Sequence, residues 1–259
     1  MSIRLRALTM LVLAAALAGC VSSAERSAEA ARKQRLIETQ VQLGAGYLQR
    51  DQPELALENF KKALELDPDH PQANNMMALL QWRLKSHDEA EKYFRKALRA
   101  RENDTPEVWN NYGAFLCDRG RYDESVKWFE KAAGTPMYRA AAGAYENAGS
   151  CLMRKPAPAA AEKYFREALG LDPNLPKSLQ QMAQISYDAG RALSARGFMQ
   201  RYFQAVGDTP EALALAVRIE RALGNKNDEA SFALRLRGKF PDSAEAKAFA
   251  AEARGAKGK

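Results

Sequence analysis

The sequence has few of the residues from which catalytic and metal sites are usually built. It holds two histidines and three cysteines in 259 residues. His70 stands in a Pro-Asp-His-Pro turn and His87 at a helix start, and both read as solvent-facing. No cysteine–histidine spacing suits a metal ion. No glycine-rich phosphate loop follows a strand, because no segment reads as a strand. Carboxylates are plentiful, but they fall on helix faces where solvation accounts for them. The longest apolar run, Leu8 to Ala18 with Thr9 its only polar member, has eleven residues, where a bilayer-spanning helix needs about 20. The net charge is +7, but the basic residues are interleaved with acidic ones, and nucleic-acid binding needs a concentrated basic patch. These absences argue against an enzyme, a cofactor, a metal, a small-molecule substrate, a nucleic-acid partner and a spanning helix.

What the chain does have is a period. The pattern Leu43, Gly44, Tyr47, Ala56, Phe60, Ala63, Pro68 returns every 34 to 36 residues. The large residue at Phe60 recurs as Phe94, Phe129, Phe165, Met199 and Leu234. The small residue three places on recurs as Ala97, Ala132 and Ala168, while Tyr202 and Arg237 occupy its place in the last two copies. Large and small residues at fixed offsets over such a period predict stacked helical hairpins, none of which buries its apolar face alone. Gly44, Gly113 and Gly149 let paired helices approach closely, and Ala56, Ala90 and Ala161 do so from the second helix.

These positions resemble the tetratricopeptide repeat over about Ile37 to Asp242. The first and fourth copies carry it best, the fourth as Tyr145, Gly149, Ala161, Phe165, Ala168 and Pro173. The second keeps Ala78, Ala90, Phe94 and Ala97, the third Trp109, Gly113, Phe129 and Ala132, and the fifth Ala183 and Ala195. The resemblance implies an all-α fold: a right-handed superhelix of about six helix-turn-helix repeats over residues 36–242, with a capping helix and basic tail over 243–259. First helices are expected to start near Leu36, Gln72, Glu107, Arg139, Lys177 and Glu211. Second helices are expected near Glu54, Asp88, Asp123, Ala157, Ala192 and Asp228. Prolines at helix starts and glycines at 120, 190 and 224 punctuate them.

The amino terminus follows another pattern. Arg4 and Arg6 precede the short apolar run, which ends in Leu17-Ala18-Gly19-Cys20. Residues 1–19 read as a cleaved secretory signal. The ending resembles the bacterial lipoprotein box, which implies cleavage before Cys20 and lipid on its sulfur and amine; an ordinary signal with an incidental cysteine is the alternative. Without Arg4 and Arg6 the chain keeps 37 basic and 32 acidic residues, a charge of +5. Two or more acyl chains anchor stably where one is marginal. By the lipoprotein-sorting tendency, Val21 at the second position implies the outer membrane, with the body in the periplasm. Residues 20–35 are expected to form the lipidated start and a short tether, with a helix beginning somewhere between Glu25 and Ile37.

Cys117 and Cys151 lie 34 residues apart, both late on first helices of adjacent repeats. In an oxidising periplasm this predicts a disulfide joining repeats three and four; two buried free thiols fit the same spacing. First helices line the inner face of such a stack, so aligned positions nominate a partner-binding groove. Asn75, Asn110, Glu146 and Gln180 form one row, with Leu79, Trp82 and Tyr187 as apolar anchors. The lysine and asparagine clamp by which some tetratricopeptide-repeat proteins grip a carboxyl terminus is absent. The asparagines at 110, 111 and 147 also fit a purely structural repeat role.

A lipoprotein box, a tether, six repeats and a cysteine pair between the third and fourth together resemble the type IV pilus biogenesis/stability lipoproteins, the PilF/PilW family. The third repeat, Asn110-Asn111-Tyr112-Gly113 with Phe115-Leu116-Cys117, shares that likeness. The resemblance implies a pilotin, which escorts secretin subunits to the outer membrane and helps their ring assemble. Another periplasmic adaptor, such as a scaffold for cell-wall hydrolases, is the alternative.

Overall fold

A computed structural model describes residues 3–99 and 106–257, with side chains for 23–99 and 106–252. Thirteen helices and no strand occur among the described residues. They are α1 (Ile3–Gln49), α2 (Pro53–Leu66), α3 (Pro71–Arg83), α4 (His87–Ala97), α5 (Pro106–Asp118), α6 (Tyr122–Ala133), α7 (Ala141–Arg154), α8 (Pro158–Leu171), α9 (Pro176–Asp188), α10 (Ala192–Ala205), α11 (Pro210–Ala222), α12 (Lys226–Lys239) and α13 (Ala244–Lys257). The first twelve pair into six hairpins. The chain divides into two compact units, Met1–Asn111 and Tyr112–Lys259.

Local chemistry explains the boundaries. Proline occupies the first turn of α2, α3, α8, α9 and α11, where the lost N–H has no helical partner anyway. Five of the six first helices, all but α7, end in a left-handed residue. At Gly120, Gly190 and Gly224 this is unstrained, whereas Asp51 and Lys85 adopt it with side chains, at φ 59° and 62°.

The expected tether is helical where the structure describes it. Residues 23–35 continue α1 without a break and are exposed. Alanine, glutamate, arginine and lysine favour this, and no glycine or proline intervenes between Val21 and Gly44. The leader and Cys20 lie outside the residues whose side chains are described.

The core follows a rule of paired sizes. Each ladder residue sits sixteen places after a small residue on its hairpin's first helix: Gly44 with Phe60, Ala78 with Phe94, Gly113 with Phe129, Gly149 with Phe165, Ala183 with Met199. All five ladder side chains are buried. A Cβ at Gly44, Gly113 or Gly149 would come within 2.4, 2.9 and 2.9 Å of the paired phenylalanine ring, so the glycine is what admits the ring. The sixth hairpin departs from the expected phase. Leu234 is 66% exposed, and the buried residues are Ala233 and Leu236. Ala233 holds the ladder position opposite Val217, and Leu236, not Arg237, holds the small-residue position. Large and small have changed places.

His70 also departs from expectation. It is buried, and its Nδ1 accepts from the Ala73 N–H (3.2 Å), capping α3. Its Nε2 lies 3.4 Å from Gln34 Nε2. Burial lowers its pKa from the usual histidine value, against the weaker opposite pull of Asp67 and Glu38.

Candidate partner-binding surfaces

In the first unit, the exposed start of the repeat array is the most distinctive surface. The residue just before the close-packed small position is Met77, Tyr112, Ala148, Met182 and Ala216 in repeats two to six, all buried. In repeat one the same position is Leu43, and it is 46% exposed. Leu36, also 46% exposed, lies two helical turns earlier on α1. Gln40 falls between them at helical spacing, and Tyr47 follows one turn after Leu43, so the four form one stripe. The buried Gln40 Oε1 has no hydrogen-bond partner, an arrangement that costs free energy unless a donor arrives. Leu43 is thus exposed at a position that the later repeats bury.

The nominated groove residues have mixed fates. Asn75 is buried, and its Oδ1 accepts from Asn111 Nδ2 (3.4 Å), which ties α3 to α5. Leu79, Trp82 and Asn110 are half-buried. In the second unit, Glu146 does not face outward: its Oε2 accepts from the Ser178 N–H (3.0 Å) and Oγ (2.7 Å). It thereby joins α7 to the first turn of α9, a favoured place for negative charge. Gln180 does line an open cavity of about 230 Å³, with Gln184, Glu211, Arg218 and Glu245. Tyr187 is half-buried, with the Arg218 guanidinium 5.6 Å from its ring centre. Asn75 and Glu146 are therefore structural, whereas Gln180 and Tyr187 border accessible space.

Cys117 and Cys151 form a disulfide with Cα atoms 5.8 Å apart, linking α5 and α7 within the second unit. Two charged groups lie deep in the same unit. Glu220 is buried and takes a two-point contact from Arg196 (Nε to Oε1 2.9 Å), with Asn225 Nδ2 at 3.3 Å. Burial pushes the Asp208 pKa up, but hydrogen bonds and charge from Arg235 and Lys239 outweigh this, and the net shift is downward. No group of three or more histidine, cysteine, aspartate or glutamate side chains could hold a metal among the described residues. No helix is long and apolar enough to cross a membrane among them either.

Comparison with known proteins places this geometry. Residues 35–103 and 137–176 match tetratricopeptide repeat families. The type IV pilus assembly protein PilF of Pseudomonas aeruginosa is 32% identical over 249 residues, covering 95% of this chain and 98% of that one. This chain belongs to the PilF family of type IV pilus assembly proteins. A solved structure of Pseudomonas aeruginosa PilF superposes with a TM-score of 0.75 at 30% identity, over 85% of this chain and 99% of its own. PilW, described as a widely conserved type IV pilus biogenesis factor, gives 0.71 at 29% identity, over 82% and 97%. The PilF-family fold is thus the tetratricopeptide-repeat fold, here in a type IV pilus biogenesis protein.

The sequence reading missed the Leu36–Leu43 stripe. The signal was available: aligning the residue before each small position gives an apolar set in every repeat. Reading it required noticing that the first member has no preceding hairpin to cover it.

Proposed function

We propose that this protein is a lipid-anchored pilotin: it binds subunits of the type IV pilus secretin and promotes their outer-membrane localisation and ring assembly. The full-length similarity to PilF supports the pilus assignment. The Leu17-Ala18-Gly19-Cys20 ending supports an anchor at Cys20. The observation that carries the binding role is the exposed pair Leu36 and Leu43 on α1, with Leu43 uncovered at a position that repeats two to six bury. An amphipathic segment of the secretin, laid on α1, would bury both leucines. The role is recognition and delivery, with no catalytic step: the lipid sets the address, and the repeats hold the passenger.

The test is a blot for heat-resistant secretin multimers in outer-membrane fractions. The strains compared lack the gene, or carry Cys20→Ala, or carry Leu36→Glu with Leu43→Glu. The proposal expects multimers to be lost or displaced to the inner membrane in all three. Multimers unchanged in the deletion strain would reject it and direct attention to cell-wall hydrolases as the passenger. A leucine variant that melts like the parent yet fails in delivery separates binding from folding.

A further inference from the structure

The second unit carries most of the chain's positive charge. Residues 112–259 hold 23 basic and 17 acidic side chains, against 16 and 15 in residues 1–111. The excess has a local expression on α10, whereas α8 is balanced, with Glu162 and Glu167 against Lys163 and Arg166. Helix α10 has two arginines and no acidic residue, and Arg196 turns inward to Glu220. Among the described residues Arg201 has no carboxylate partner: it donates to the Pro173 carbonyl (2.6 Å) and lies 6.0 Å from the Phe198 ring centre. On α8, Arg166 shares the single carboxylate of Glu162 with Arg191. Between these helices lies an open groove of about 320 Å³, lined by Arg166, Ser194, Gly197, Phe198 and Arg201.

The exposed positions of this face have changed character relative to earlier repeats. Where the first three second helices carry Glu54, Asp88 and Asp123, α10 carries Leu193, 71% exposed. Where the first four carry Glu58, Lys92, Lys127 and Lys163, α10 carries Gly197. A Cβ there would meet nothing within 4 Å, so internal packing does not require the glycine, which leaves the groove floor open. Leu171, at the end of α8, is also exposed, close in sequence to the Pro173 carbonyl that Arg201 holds. Singly exposed aliphatic residues beside arginines with unmatched charge are the chemistry of an interfacial surface. Arginine stems and leucines enter the headgroup layer, and guanidinium groups meet phosphates.

We propose that the exposed face shared by α8 and α10 is a contact surface for an anionic phospholipid bilayer, with Arg166 and Arg201 on headgroup phosphates and Leu193 in the interfacial layer. An acidic protein helix would match the arginines too. However, the aliphatic residues stand singly on open surface and form no pocket for a packed side chain, which favours lipid.

The experiment is co-sedimentation of residues 21–259, without lipid and without any pilus protein, so its failure leaves the pilotin reading standing. The solved PilF and PilW structures cover 85% and 82% of this chain, so a body of this extent folds in the family. The probes are vesicles of equal parts phosphatidylglycerol and phosphatidylcholine, and vesicles of phosphatidylcholine alone. Binding is expected only to the first, weakening as salt is raised. Arg166→Gln with Arg201→Gln is expected to lower the partition by about fivefold for each cation removed. Leu193→Gln lowers it at unchanged charge and, being at an exposed site, leaves the thermal melt in place. The control Lys33→Gln with Lys61→Gln removes the same charge from the first unit and is expected to change little. Equal losses in the two double variants, no preference for anionic vesicles, or full competition by inorganic phosphate at matched phosphate concentration would each overturn the proposal. Retained vesicle binding in Leu193→Gln would do so as well.

Discussion

The two units solve the same packing problem by different means. The first follows the repeat rule closely: Gly44 with Phe60, Ala78 with Phe94, and alanines at 63 and 97, all buried. Its basic and acidic residues nearly balance, and two of its exposed leucines, Leu36 and Leu43, lie on α1, with Leu84 just past the end of α3. The second unit drifts from the rule as the chain proceeds. Phenylalanine gives way to Met199 and then Ala233, and the small position fills with Tyr202 and Leu236. In that unit are the disulfide, the buried Arg196–Glu220 pair, the Asp208 cluster and the cap α13. The disulfide sits where the rule still holds, at Gly113 with Phe129 and Gly149 with Phe165, whereas the Arg196–Glu220 pair and the Asp208 cluster lie in the repeats where it lapses. The regular unit also leaves its first face uncovered, at Leu36 and Leu43.

The largest expected effect tests the regular unit. Phe60→Ala removes a buried ring from a site shaped around a glycine and should destabilise the first unit by about 3–5 kcal/mol. Hydrogen exchange followed by peptide would show faster opening of α1 to α4. Equal acceleration throughout residues 112–259 would show that the two units open together and would break the comparison. Next is the disulfide. Cys117→Ala with Cys151→Ala releases a loop with a sequence separation of 34, which should cost the second unit about 3–4 kcal/mol. Urea unfolding read from exchange in α5 to α8 checks this, and α2 and α3 should be unaffected.

The sixth hairpin gives a sharper test of the size rule. Ala233→Phe alone should overpack against Val217 by about 1–3 kcal/mol, and Val217→Gly alone should leave a void. Combined, they restore the pairing of Gly113 with Phe129, so a double-mutant cycle should show a favourable coupling of about 1 kcal/mol or more. Simple additivity would mean that Val217 and Ala233 do not share one space.

The same hairpin shows what could be read from the sequence and what could not. Five repeats were legible because a large residue marks them, and a period of 34 to 36 residues survives point changes. In the sixth, a search for the large residue selects Leu234, one place beyond the true ladder position, because the ladder there holds alanine. Only the paired position, Val217, reveals the exchange. The groove rows had a similar limit. Register puts Asn75 and Glu146 on first helices, but whether a side chain faces solvent or a neighbouring helix depends on contacts such as Asn111 and Ser178. A helix beginning between Glu25 and Ile37 was legible, but its earlier start was not, because residues 23–35 offer no apolar stripe to mark one. The cysteine pair was accessible because repeat length fixes which helices are neighbours.

The smallest expected effect distinguishes the units by pH. His70 has a lowered pKa, so the unfolded chain binds its proton at higher pH than the folded one. Its neutral ring stabilises the first unit above the unfolded value of about 6.5, and that contribution fades as pH falls through 6.5 towards the folded value. Asp208 also has a lowered pKa, but as a carboxylate its contribution to the second unit persists until pH falls below about 4. As pH falls through about 6.5 the first unit should therefore lose stability while the Asp208 contribution holds. His70→Asn keeps a side-chain acceptor for the Ala73 N–H and removes the titration. In that variant the slope of first-unit stability against pH, measured by denaturant unfolding with exchange readout, should flatten across this window. An unchanged slope would assign the titration to another group and remove the pH difference between the units.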